Sequence, residues 1–147
     1  MIGDTGCRLK GKEIQACNDP TAYPFAKTAQ LAAAWKPDLV LHVGDYHYRE
    51  NECPASAPGC EGSPWGYGWD AWSADFFSPG APLLNAAPMV MVRGNHENCF
   101  RAGQGWMRFL DPTRSPPRAT ATIPLATGPA TILPPSPCRW AVARSWW

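Results

Sequence analysis

At 147 residues, 45% of them hydrophobic, the chain has the length of one domain with a modest core. A net charge of +1 gives no electrostatic reason to expect nucleic acid or a membrane surface as a partner, and no run of about 18 apolar residues spans a bilayer. The six cysteines, at 7, 17, 53, 60, 99 and 138, contain no C-x₂-C pair and no matching histidine spacing, which counts against a zinc cluster. Cys7 with Cys17, and Cys53 with Cys60, are close enough to staple local loops, so these four are the disulfide candidates. Paired cysteines mark oxidising compartments. Yet Met1 runs straight into a motif with no export signal before it. An extracytoplasmic parent protein with a longer amino terminus is the expectation that reconciles the two.

In chain order, Met1-Ile2 reads as the tail of a strand whose start is absent, and Gly3-Asp4-Thr5-Gly6 follows it. Residues 8–23 are mostly polar, with Asn18-Asp19-Pro20 as turn chemistry, and read as a loop. Residues 24–35 read as a helix, with apolar positions at Phe25, Ala29, Ala32 and Ala33. Pro24 suits its start, and Pro37 stops it because proline lacks an N–H and disfavours a helical residue before it. The run Leu-Val-Leu-His-Val at 39–43 reads as a buried strand ending at Gly44, with His42 as a satisfied core histidine. Together these make a β-α-β unit, hence a parallel pair with a right-handed crossover.

Residues 49–68, rich in Gly, Pro, Ser and Cys, form a long loop, which in a compact domain is usually functional or stapled. The spacing predicts a helix over 69–77 with Trp69, Trp72 and Phe76 on one face, and Trp65, Trp69 and Trp72 read as core. A strand follows at 88–93 and a short helix at 104–110. From 113 to 147 the chain is Pro, Ala, Arg and Trp-rich, with no aspartate or glutamate and no periodicity. The expected division is a partial domain at 1–112 and a disordered or out-of-frame tail at 113–147. A shifted codon frame lets 119–124 spell Asp-Cys-Asn-Asp-Pro, echoing Ala16-Cys17-Asn18-Asp19-Pro20. The same shift yields a plausible turn-and-strand sequence from 127–142.

Three motifs close the three strand segments: Gly-Asp-Thr-Gly at 3–6, Gly-Asp-Tyr-His-Tyr at 44–48 and Gly-Asn-His-Glu at 94–97. Ligands bind outside the carboxyl ends of strands in α/β sheets. That places Asp4, Asp45, Tyr48, Asn95 and His96 at one edge of one sheet. Hard oxygen donors with one imidazole suit divalent or trivalent metals and phosphate.

The ordered set resembles the calcineurin-like metallophosphoesterase superfamily over about residues 1–110. Gly-Asp-x-Gly followed by Gly-Asp-x-x-Tyr resembles its purple acid phosphatase-like branch. The resemblance implies the amino-terminal half of an α/β/β/α sandwich and a dinuclear centre of Fe with Fe, Zn or Mn. It implies Asp4, Asp45, Tyr48 and Asn95 as metal ligands, with Asp45 bridging and Tyr48 a phenolate on ferric iron. His96 would face the phosphate as the catalytic residue, with Glu97 orienting it. Arg93 and His47 would stand behind the ligands or near the substrate, Arg93 in an ion pair.

The implied reaction is in-line attack by metal-bound hydroxide on a small phosphoester. The pattern also calls for a histidine from a later strand and a Gly-His-x-His segment, but no histidine follows His96. The expectation is therefore an incomplete centre with weak activity or none. The competing reading is a non-catalytic, secreted, disulfide-stapled binding module.

Overall fold

A computed structural model describes residues 1–112; the expectations for 113–147 lie outside the described residues. The chain makes β1 (Leu9–Lys10), β2 (Glu13–Ile14), α1 (Phe25–Ala34), β3 (Val40–His42), α2 (Trp69–Trp72), α3 (Ser78–Ala86), β4 (Met89–Met91) and α4 (Gly103–Phe109). β3 and β4 pair in parallel, Val40 with Met89 through His42 with Met91. Ile2 bridges to His42, also in parallel, so the amino-terminal stub, β3 and β4 lie side by side in that order. The architecture is α/β, as the β-α-β reading expects.

Helix α1 begins one residue after Pro24, and Lys36 before Pro37 turns to φ +50°, outside the helical region. The chain departs from the expected pattern in two places. Residues 8–23 contain the antiparallel pair β1–β2, joined Leu9 to Ile14 and Lys10 to Glu13, rather than only loop. The helix expected at 69–77 also runs on. A π-helical turn at Ser73–Phe77 joins α2 to α3, and the helical path ends at Ala86. Ser78-Pro79-Gly80 looks like a stop, but the helical path passes through Pro79, and the Asp75 carbonyl that its missing N–H leaves open accepts the Tyr23 hydroxyl at 2.7 Å.

The core lies between one face of the sheet and the helices: Phe25 and Ala29 of α1, Val40, Phe76, Leu83 of α3, and Trp106 of α4. Burial of these side chains stabilises by roughly 1.5–3 kcal/mol each for the larger aliphatic and aromatic ones. On the opposite sheet face Leu41, Val43, Val90 and Val92 remain 37–48% exposed, and nothing among the described residues covers them. Of the three tryptophans read as core, only Trp72 is. Trp69 is half exposed and packs its ring on Phe77 and Phe109, and Trp65 is likewise half exposed in the long loop. A smaller cluster holds Leu9 with the disulfides Cys7–Cys17 and Cys53–Cys60, the two pairs that loop spacing singles out. Among the described residues no cysteine is free.

Candidate metal and phosphate site

The ends of the stub and of β3 are zipped together by their backbones. Asp4 N–H donates to Gly44 O at 3.1 Å, and Thr5 N–H donates to Asp45 O at 3.0 Å. Asp4 and Asp45 both turn through the left-handed region, at φ +53° and +58°, a conformation aspartate tolerates better than most residues. Gly44, at φ +106°, lies so close to the next loop that an added Cβ would stand 2.7 Å from Gly94 Cα. A Cβ on Gly94 would in turn strike the Asp45 carboxylate. Both motif glycines are thus required by close approach, not by flexibility alone.

These turns converge three oxygen-bearing side chains. The Tyr48 hydroxyl donates to Asp4 Oδ1 at 2.6 Å and lies 3.4 Å from Asp45 Oδ2. Burial, together with the two carboxylates, pushes the Tyr48 phenol well above its usual range. The Tyr48 ring lies between the His96 ring, at 3.9 Å, and the Arg8 guanidinium, at 5.3 Å. His96 is joined to the group through its backbone, whose N–H donates to Asp45 Oδ1 at 2.9 Å. Asn95 sits at the rim with its side chain exposed.

Among the described residues no group of three or more His, Cys, Asp or Glu side chains gathers as a metal cage. The five side-chain oxygens of Asp4, Asp45 and Tyr48 suit a hard cation in kind, but they are fewer than the six or more that such an ion takes, and Asp45 Oδ1 already accepts the His96 N–H. The set therefore fits part of one coordination shell.

Two buried carboxylates hold the loops in place. Glu97 Oε1 accepts the N–H groups of Tyr46 (2.9 Å) and His47 (3.2 Å), and Oε2 accepts those of Asp45 (3.0 Å) and Gly94 (3.1 Å). Its side chain meets backbone, not the His96 ring that it was expected to orient. Burial pushes its carboxyl up, and the amide donors pull against that shift. Asp75, from the π-helical turn, does the same on the other side. Its oxygens accept the N–H groups of Cys7 (2.9 Å), Tyr48 (2.7 Å) and Arg49 (3.0 Å), and Arg49 Nε at 2.6 Å in a fully buried ion pair.

Arg93 donates from Nε to the Glu97 carbonyl at 2.8 Å, and among the described residues no carboxylate pairs with it. Its Nη2 lies 3.6 Å from Cys99 Sγ, so the expected ion pair is not found among the described residues. His47, which sequence leaves open to exposure, is fully buried, its ring beside Tyr67 and Trp72. His42 is the expected core histidine. Gly44 N–H donates to its Nδ1 at 3.2 Å, which leaves Nε2–H to donate to Thr5 Oγ1 at 3.0 Å. Burial lowers its pKa to about 4, against the opposing pull of Asp4 and Asp45.

One part of the site escaped sequence reading. Arg101 donates from Nε to Glu50 Oε2 at 3.0 Å and from Nη2 to Glu50 Oε1, and the same Nη2 lies 2.6 Å from His96 Nδ1. Lys10 reaches Glu50 at 3.3 Å. Burial pushes Glu50 up, but Arg101 and Lys10 outweigh it and leave its carboxyl below the ordinary range. Burial and then Arg101 lower the pKa of His96, so its ring favours the neutral form. The only signal in the sequence was a cluster of charges 51 residues apart, which no local pattern connects.

No curated protein and no solved structure matches the chain. The family model described as calcineurin-like phosphoesterase matches residues 1–133, nearly the whole sequence, with all three strand-end motifs inside the match. The chain belongs to the calcineurin-like phosphoesterase family.

Proposed function

We propose that the chain is the amino-terminal part of a metal-dependent phosphoester hydrolase of the purple acid phosphatase-like branch, acting on small phosphoesters. The observation that carries this reading is the Tyr48 hydroxyl within 2.6 Å of Asp4 and 3.4 Å of Asp45. A tyrosine joined to two strand-end carboxylates is the feature that separates this branch from the rest of the family in the resemblance above. Asp4, Asp45 and Tyr48, with Asn95 at the rim, would hold the cation, iron with a second iron, zinc or manganese in the complete centre. Bound there, it would supply Lewis acidity that generates a nucleophile from water and offsets the charge of the phosphate.

The residues of this chain then have separate tasks. Asp45 fixes the His96 backbone, and Glu97 fixes the loop that carries Asp45. Arg101, held by Glu50, sets a positive charge against a neutral His96 ring on the side where phosphate would approach. His96, as a neutral imidazole, is the candidate to donate a ring N–H to the phosphate as charge develops in the transition state. Arg93 and His47 act as supports, one on the Glu97 carbonyl and one packed beside Tyr67 and Trp72, with its own carbonyl 3.2 Å from His96 Nδ1. The two disulfides support an extracytoplasmic parent protein. Residues 1–112 carry all three motifs and so would contribute Asp4, Asp45, Tyr48 and Asn95 to such a centre.

Hydrolysis of an aryl phosphate with added Fe, Zn or Mn, by the chain and by Asp45→Asn, tests the reading. Slow turnover that disappears in the variant is expected. Equal turnover in both, or no metal uptake by either, overturns it. The second reading, a disulfide-stapled binding module, draws on the half-exposed Trp65 and Trp69 and requires no metal uptake.

A further inference from the structure

A pocket of about 270 Å³ opens beside Asp4, where the first motif meets the start of α1. Its walls include Ile2, Tyr23, Pro24, Phe25 and Thr28, and Asp4 belongs both to this wall and to the oxygen cluster. Nothing in the motif chemistry uses it.

Three properties define what it would take. The Asp4 carboxylate in its wall accepts the Tyr48 hydroxyl and, in the reading above, is committed to the cation. The other polar side chains have internal partners: Tyr23 OH donates to Asp75 O at 2.7 Å, Thr28 Oγ1 to Pro24 O at 3.1 Å, and Gln15 Nε2 to Ala22 O, while Thr5 Oγ1 accepts from His42. Little hydrogen-bonding capacity remains for a sugar or other polyol. Among the described residues its lining carries no Lys, Arg or His, so a second phosphate or a carboxylate would meet no counter-charge. Two aromatic rings and a proline make up the rest, a lining suited to a flat apolar group. Its volume suits one ring or a small fused pair rather than a drug-sized molecule.

We infer that this pocket binds an uncharged aromatic ring and, resting on the hydrolase reading above, seats the aryl alcohol portion of the phosphoester. Substrate selection would then come from Tyr23, Phe25 and Thr28, outside the metal-binding motifs. Aryl phosphates would be preferred over sugar phosphates and over esters whose leaving group carries its own charge.

Binding of the alcohol portion alone tests the pocket without any turnover. The full chain would be titrated with phenol, and in parallel with glycerol, while its backbone amide resonances are followed. Phenol is expected to shift the amides of Thr5, Phe25 and Thr28 with a dissociation constant on the order of millimolar, and glycerol to shift none. Thr28 is exposed on α1, so Thr28→Trp fills the pocket mouth at small cost to folding, and should weaken phenol at least tenfold. Thr28→Ala, which keeps the space, should stay within about threefold of the parent chain.

Phenol shifts that are absent, that are matched by glycerol, or that survive Thr28→Trp unchanged overturn the inference. The two readings fail separately. Phenol binding without hydrolysis removes the hydrolase and leaves the pocket, whereas hydrolysis without phenol binding removes the pocket alone.

Discussion

Apart from Glu50, which Arg101 and Lys10 pair, four carboxylates surround the strand-end loops, and they divide into two kinds. Asp75 and Glu97 are fully buried, and every one of their oxygens receives backbone N–H groups or a guanidinium. Asp4 is exposed and Asp45 half-buried, both on left-handed backbone, with oxygens turned to a phenol and one amide. The first pair holds the loops in place and has no capacity left for a ligand. The second pair is held by those loops and keeps oxygen lone pairs available. Identical chemistry thus serves as scaffold or as site according to how many donors the backbone has already supplied.

The contrast breaks most visibly at Asp75. Asp75→Ala would strand three amide donors and leave the Arg49 guanidinium buried without its partner, a loss of roughly 3–5 kcal/mol. Chemical denaturation would read this as a large drop in midpoint. Replacing both partners, Asp75→Leu with Arg49→Met, should be less damaging than Asp75→Ala, because no unpaired charge remains. A single variant as stable as the parent would mean that the ion pair is not what organises the loops.

A second measure is pH. His42 has an ordinary pKa near 6.5 when the chain is unfolded and about 4 when folded, chiefly because it is buried. Its neutral form is therefore the one the fold selects. The associated stability is complete above about pH 6.5 and is lost as pH falls towards 4, by roughly 3 kcal/mol at 1.4 kcal/mol per unit. Stability of the parent chain measured between pH 4 and 7 should rise more steeply with pH than that of His42→Gln. Parallel slopes would show that His42 does not carry the effect.

Glu97 occupies the middle of the scale. Glu97→Gln keeps the shape but turns an NH₂ towards two of the four amide donors, a loss of about 2 kcal/mol. Because one loop it clamps carries Asp45, amide exchange at Asp45 to His47 should quicken in the variant before the global midpoint is reached. Unchanged exchange there would mean that Gly44 and Gly94 alone fix the loop.

The available carboxylates were the legible ones. Gly-Asp and Gly-Asn-His after apolar runs announce a strand end and a loop, and both lie where the parallel pair β3–β4 and the Ile2 stub place them. The scaffold was hidden for physical reasons. Asp75 makes its bonds to residues 26, 27 and 68 positions away, so no local window contains both partners. One signal was present: Asp75 lies three residues after Trp72 and next to Phe76, on the apolar stripe of its helix, where an acid needs buried partners. Helix α3 was missed because Ser78-Pro79-Gly80 looks locally like a stop, yet the helical path continues through Pro79, with a distant side chain, Tyr23, donating to the Asp75 carbonyl that proline leaves open. The exposed Leu41 and Val43 were read as buried strand, since apolar runs report a two-sided environment whether or not the second side is covered by the described residues.

The smallest expected change in stability comes from the carboxylates that the motifs advertise. Asp45→Asn keeps an oxygen for the His96 amide, and asparagine accepts φ +58° at least as well as aspartate. Asp4→Asn removes one charge from an exposed position beside Tyr48. Each should lie within about 0.5 kcal/mol of the parent chain in chemical denaturation, several-fold below the effect at Asp75 or Glu97. Removing a negative charge from a cluster of two carboxylates and a phenol should even favour the fold slightly in the absence of a cation, since the like charges no longer oppose one another. Cation binding followed by calorimetry should move the opposite way and weaken at least tenfold in either variant, because a neutral amide oxygen replaces a charged ligand. A variant that lost stability and cation binding together would place Asp4 and Asp45 with the scaffold, and the division between the two pairs of carboxylates would not hold.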